Sequence, residues 1–134
     1  MENIIIIIVA IVAGISTYTI SIIMKKGTVF ASAAVTLVAG IIIPYFFEGL
    51  RTQLTAVAAC ASYAGMISAE IANIKEMIAV SVIVGIIYTF TFAAYEGIGG
   101  RLGTIAALSC FVFIGLRKIF IRKKQYNKIK ISGE

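Results

Sequence analysis

Residues 4–24 run without a single charge, and that run limits the fold of this chain more than any other feature. About 20 consecutive apolar residues cross the hydrocarbon core of a bilayer as a helix. Inside that core the backbone has no water to bond, so even an isoleucine-rich stretch folds as helix. Residues 80–94 and 102–116 are likewise uncharged. Composition points the same way: 60% of the chain is hydrophobic, 13% is charged and the mean hydropathy is +1.04. A globular domain carries about 25% charged residues to build a solvated surface. The sequence therefore predicts an all-α, polytopic integral membrane bundle with little material left for an extramembrane domain.

Five spans satisfy the loops: residues 4–24, 28–47, 52–72, 77–94 and 102–121. They form one helix followed by two helical hairpins, with residues 122–134 as a basic cytoplasmic tail. The chain opens on Met1-Glu2-Asn3 and places Lys25-Lys26 after the apolar run, so the first span is expected to be retained, with its N-terminus outside. Pro44 falls near the outer end of the second span and Tyr45, Phe46 and Phe47 form an interfacial aromatic cluster. The third span is rich in alanine, serine and glycine and is expected at the centre of the bundle, where thin side chains let neighbours approach. The fifth has only fifteen uncharged residues, about 22 Å of helix, so Arg117 and Lys118 are expected to snorkel.

Charge sets the orientation. With the N-terminus outside, Lys25, Lys26, Lys75, Arg117, Lys118, Arg122, Lys123, Lys124, Lys128 and Lys130 fall inside, and only Arg51 and Arg101 fall outside. That asymmetry predicts an N-out, C-in, multi-pass protein of the cell (cytoplasmic) membrane. The basic tail reads as an anchor on anionic headgroups, and no nucleic-acid partner is expected.

A shift of fifty residues superimposes Lys25 on Lys75, Gly49 on Gly99, Arg51 on Arg101, Ala56 on Ala106 and Cys60 on Cys110. Either the two hairpins are an internal repeat of the kind transporters use, or segments of similar apolar vocabulary coincide.

Few residues offer chemistry. Histidine is absent, which removes the commonest general base and metal ligand. Cys60 and Cys110 lie in apolar runs with no Cys-x-x-Cys spacing and read as packing residues. No enzyme activity, cofactor or metal is expected. Glu70 is the carboxylate deepest in a predicted span; it reads either as a proton or cation site or as an interfacial group paired with Lys75. Glu48, Arg51, Glu96 and Arg101 sit at two outer turns. They pair locally across each turn or gather as a charged ring at a vestibule.

The glycine-rich turn at 95–104 joins two apolar segments and is expected as the outer tip of a hairpin. Its Gly99 and Gly103, with Ala107, form a small-xxx-small face for helix packing. Ser32, Thr36 and Gly40, and Ser81, Gly85 and Thr89, form two more such faces, and Gly14, Thr17 and Ser21 share a seam on the first span. Two functions fit: a transporter or channel for a small solute or ion, or its membrane subunit, and a non-transporting accessory subunit of a larger membrane complex. Membrane lipid and either further copies of the chain or a partner membrane subunit are the expected partners.

Overall fold

The computed structural model describes residues 2–25, 27–68, 70–92, 94 and 97–131, with side chains as far as Lys123. Five helices follow in order: α1 (Glu2–Met24), α2 (Thr28–Phe46), α3 (Arg51–Ala64), α4 (Ile74–Thr91) and α5 (Arg101–Ile131). The described residues contain no strand. α1, α2, α4 and α5 are long and apolar enough to cross a membrane.

α3 is the centre. Eight of its fourteen residues are buried, and they lie all round the helix, from Leu54 and Val57 through Ala58–Ala61 to Ser62 and Ala64. A helix apolar on every side belongs in a core, and α3 touches all four other helices. The expectation that the small-residue segment lies at the centre holds for this reason.

α1 buries one stripe, Ile6, Ala10, Ala13, Gly14, Thr17 and Tyr18, at the spacing of a single helix face. Ile4, Ile8, Val12 and Ile23 face outwards, each more than half exposed. The stripe is where the bundle is tightest. A Cβ on Gly14 would collide with Ser81 Oγ of α4. A Cβ on Gly65 would lie 2.8 Å from the Gly14 carbonyl oxygen and 2.9 Å from Thr17 Cβ. A Cβ on Gly85 would lie 3.2 Å from Ile7 Cα. α1 is thus wedged between α3 and α4 at backbone distance, as small residues at helix interfaces permit. The seams read from Gly14 and Thr17, and from Ser81 and Gly85, are two halves of one interface.

Four helix boundaries differ from the sequence expectation by three residues or more: the end of α3, both ends of α4 and the end of α5. α3 stops at Ala64, whereas a helix to residue 72 is expected from the apolar run. Gly65 caps it, and the Met66 and Ile67 N–H groups bond back to Tyr63 and Ala64 over three residues, the tightening that closes a helix end. Residues 65–68 and 70–73 then cross to α4 without regular structure. Their carbonyls are not stranded: Tyr18 Oη donates to the Ala72 oxygen and Arg117 Nη1 to the Ile71 oxygen. α4 begins at Ile74, where Glu76 Oε2 accepts the Asn73 N–H at 2.8 Å and closes the N-terminal turn. It ends at Thr91, three residues before the expected end. α5 runs on to Ile131, through most of the segment expected as a tail. Lysine, arginine and glutamine are good helix formers, and the segment has no glycine or proline before Gly133.

The Gly14 contact yields a direct test. Gly14→Ala is expected to destabilise the protein by about 1–3 kcal/mol, the usual cost of overpacking, with part recovered by adding Ser81→Gly. Gly40→Ala, with nothing within 4 Å of its Cβ, is expected to change stability by less than about 0.5 kcal/mol. Thermal unfolding of the three variants in one detergent ranks them.

Candidate functional site

Apolar surroundings penalise a hydroxyl without a partner, and several here use their own helix. Thr17 donates to Ala13, Thr89 to Gly85, Thr91 to Ile87 and Ser109 to Ile105, at 2.7–3.0 Å. Among the serines and threonines, two places break this pattern.

The first is a hub between α2 and α3. Ser62 Oγ lies 3.0 Å from Ser32 Oγ and 3.0 Å from Thr36 Oγ1, and donates to the Ala59 carbonyl at 2.8 Å. With its one proton given to Ala59, Ser62 accepts from both α2 hydroxyls. Ser32 and Ser62 are buried. The predicted Ser32 and Thr36 face is therefore a polar contact with α3, whereas Gly40 packs against nothing within 4 Å. Beside the hub lies an open cavity of about 400 Å³ whose walls include Ser32, Thr36, Tyr63 and Met66.

The second is Ser81. Its Oγ is buried against Gly14 and has no hydrogen-bond partner. The glycine backbone is what it faces, where Cα hydrogens serve as weak donors.

The described part of the glycine turn, residues 97–100, is exposed, and the start of α5 behind it packs against α3. Cys60 Sγ donates to the Leu102 carbonyl at 3.2 Å, and Cys60 is nine residues beyond Arg51, about 13.5 Å along α3. α5 therefore starts beside the C-terminal half of α3. Residues 97–103 and Tyr63 enclose a second cavity of about 430 Å³. Gly97 and Gly100 have φ of 83° and 80°, the left-handed region that favours glycine, and these two glycines let the chain fold back. Tyr63 borders both cavities, one on each side of α3's end.

The predicted packing face of α5 does not pack within the chain. Gly99, Gly103 and Ala107 are exposed, with open space around Gly99 and Gly103. The buried face is Ile105, Ala106, Ser109 and Phe113 instead. Small residues allow close approach but do not choose the neighbour; α3 and α4 lie on the other side.

Charged groups predicted at the site are scattered. Glu70 lies exposed on the turn after α3, a consequence of the early helix end, and forms no ion pair with a described residue. Glu48 and Arg51 are exposed and likewise form no ion pair with a described residue. Arg101 lies over the Phe92 ring, 5.3 Å from its centroid, and donates to the Phe92 carbonyl at 3.4 Å. Glu96 lies outside the described residues. Arg51 and Arg101 both open a helix, but at different heights along α3, so the structure does not assemble them into one ring. No group of three or more His, Cys, Asp and Glu side chains suited to a metal occurs among the described residues.

One ionic contact was not anticipated. Arg117 Nε sits 3.4 Å from Glu76 Oε1 while the other oxygen of Glu76 caps α4. With its bond to the Ile71 carbonyl, Arg117 ties α5 to the irregular segment after α3 and to the start of α4. The sequence signal was present, since Arg117 interrupts an apolar run, but its partner is 41 positions away.

Two substitutions separate these roles. Glu76→Gln keeps the capping geometry and is expected to cost under about 1 kcal/mol, because the ion pair is partly exposed; Glu76→Ala loses the cap as well and is expected to cost about 1–2 kcal/mol. Ser62→Ala is expected to cost about 1–3 kcal/mol by stranding one buried and one half-buried donor, more than Thr36→Val, which removes a single donor. Unfolding midpoints in detergent measure both orders. Compared with known protein families, with characterised proteins and with solved structures, the chain matches none.

Proposed function

We propose that this is a small integral membrane protein that carries a small solute, or the membrane subunit of such a transporter. In this reading the chain crosses the cell membrane five times, N-terminus outside and C-terminus inside, and works as an oligomer of identical chains. One observation carries it: α3 is fourteen residues long, about 21 Å, against a hydrocarbon core of about 30 Å. The rest of that crossing is non-helical backbone, with the glycine turn folded back alongside. Irregular backbone at membrane depth is tolerated where it is buried in protein or lines a wet cavity, and interrupted helices are where transporters place their binding sites. The cavities on either side of Tyr63 lie at that interruption. Their lining is Ser32, Thr36 and apolar side chains on one side, glycine backbone and Arg101 on the other, with the Tyr63 ring shared by both.

The second reading, an accessory subunit of a larger complex, has its own support in α5. Its outward face carries Leu108, Phe111 and Ile114 together with Gly103 and Ala107, a surface shaped for another helix.

Water access separates the two. In a background with Cys60→Ala and Cys110→Ala, a single cysteine at Tyr63 is expected to react with a membrane-impermeant maleimide far faster than one at Phe111, which is exposed on α5. Equal, slow labelling at both positions would reject a hydrated pathway. Co-purification of a stoichiometric membrane partner would then favour the accessory role.

A further inference from the structure

Between α4 and α5, apart from the hub and the glycine turn, lies an open cavity of about 410 Å³ whose walls are charged at one end and apolar at the other. Contacts at the two ends of the pair, Glu76 with Arg117 and Phe92 with Arg101, set these helices antiparallel. Lys75, Glu76 and Arg117 therefore line the same end of the cavity. One turn deeper stand Ala79 on α4 and the buried Phe113 on α5. Ile83 lies a second turn in, about 12 Å from Lys75 along the helix axis.

The charges at the outer rim of this cavity are not balanced within the chain. Glu76 uses both of its oxygens, one for the Asn73 N–H and one for Arg117. Arg117 is held by Glu76 through Nε and by the Ile71 carbonyl through Nη1, and its Nη2 has no partner among the described residues. Lys75 is exposed and forms no ion pair with a described residue. Glu70, on the turn before α4, is not part of the cavity wall. The walls thus hold two cations against one carboxylate, a surplus that one phosphodiester neutralises.

The chemistry of the two ends selects the occupant. A guanidinium already fixed from two sides offers its remaining N–H groups to a phosphate with little ordering cost, and the neighbouring ammonium adds a point charge. An apolar helix packed over the cavity would bury that surplus charge without a partner, which is costly. A soluble anion would leave the wall from Ala79 to Ile83 uncovered. A zwitterionic headgroup would bring its own cation towards Lys75. We propose that the α4–α5 cavity binds an anionic phospholipid, with its phosphate between Lys75 and Arg117 and an acyl chain along Ala79, Phe113 and Ile83. Basic pockets between membrane helices take lipid headgroups in this way. The inference rests on the membrane reading but not on transport, and it holds for a carrier and for an accessory subunit alike.

Intact-protein mass spectrometry of the detergent-purified chain, titrated with phosphatidylglycerol or with phosphatidylcholine, reads the bound lipid directly. Phosphatidylglycerol is expected to fill the first site at a concentration roughly fivefold lower than phosphatidylcholine, the preference expected of one lysine. Lys75→Gln is expected to abolish that preference. Lys118→Gln removes the same charge one residue beyond Arg117 but off the cavity wall, and is expected to retain it. Ala79→Trp keeps both cations, fills the apolar wall and is expected to lose the bound lipid. Equal binding of the two lipids by the unaltered chain overturns the proposal, as does a preference that survives Lys75→Gln or falls equally in Lys118→Gln. Unchanged lipid binding in Ala79→Trp overturns it too. Displacement of phosphatidylglycerol by excess soluble glycerol phosphate also overturns it and points to a site for a soluble anion. None of these outcomes bears on labelling at Tyr63, so failure here leaves the transport reading standing.

Discussion

The bundle depends on one crossing, where the backbone of Gly14 on α1 meets Ser81 of α4 on one side and Gly65 at the end of α3 on the other. Three helices approach there with only the small side chains of Ser81 and Thr17 between them. Dispersion contacts fall steeply with distance, so backbone approach is the most favourable packing that an apolar bundle without internal charges can make. The crossing also explains why α3 ends where it does. Gly65 is pressed against the Gly14 carbonyl and the Thr17 side chain, and beyond it the chain leaves the helix to pass α1.

Ending a helix inside an apolar bundle exposes carbonyls that need donors. At the end of α3 the N–H groups of Gly65, Met66 and Ile67 meet them, and further along Tyr18 from α1 and Arg117 from α5 donate to the Ala72 and Ile71 carbonyls. The cap of α4 is closed locally by Glu76, and its second oxygen receives Arg117. Crossing, interruption and ionic contact are therefore linked. α1 displaces the chain after α3, and the displaced segment is held by side chains from the first and last helices.

Much of this was legible in the residues. The uncharged runs give the number and type of elements, because an apolar stretch of that length has helix as its main way to satisfy its own backbone. Gly14, Thr17, Ser81 and Gly85 were visible as small-residue faces and do form the interface. The same pattern at Gly99, Gly103 and Ala107 packs against nothing in the chain, since spacing reports that a face is smooth and not what lies opposite it. Ser32 and Thr36 were read as packing residues; their role in a hydroxyl hub depended on Ser62, on another helix.

What the sequence determined by itself is an all-helical chain with apolar faces turned outwards and its basic residues gathered towards the end of the last helix. Those properties follow from hydropathy and charge, which are local. The interruption of α3, the folding of the glycine turn against Cys60 and Tyr63, and the cavity between α4 and α5 were decided only by the tertiary structure. Glycine in an apolar run is compatible with a continuous helix, a close crossing or a turn, and a neighbour's backbone selects among them. At residues 97–103 the glycines permitted a return and α3 provided the surface to return to, so these residues became one wall of a cavity.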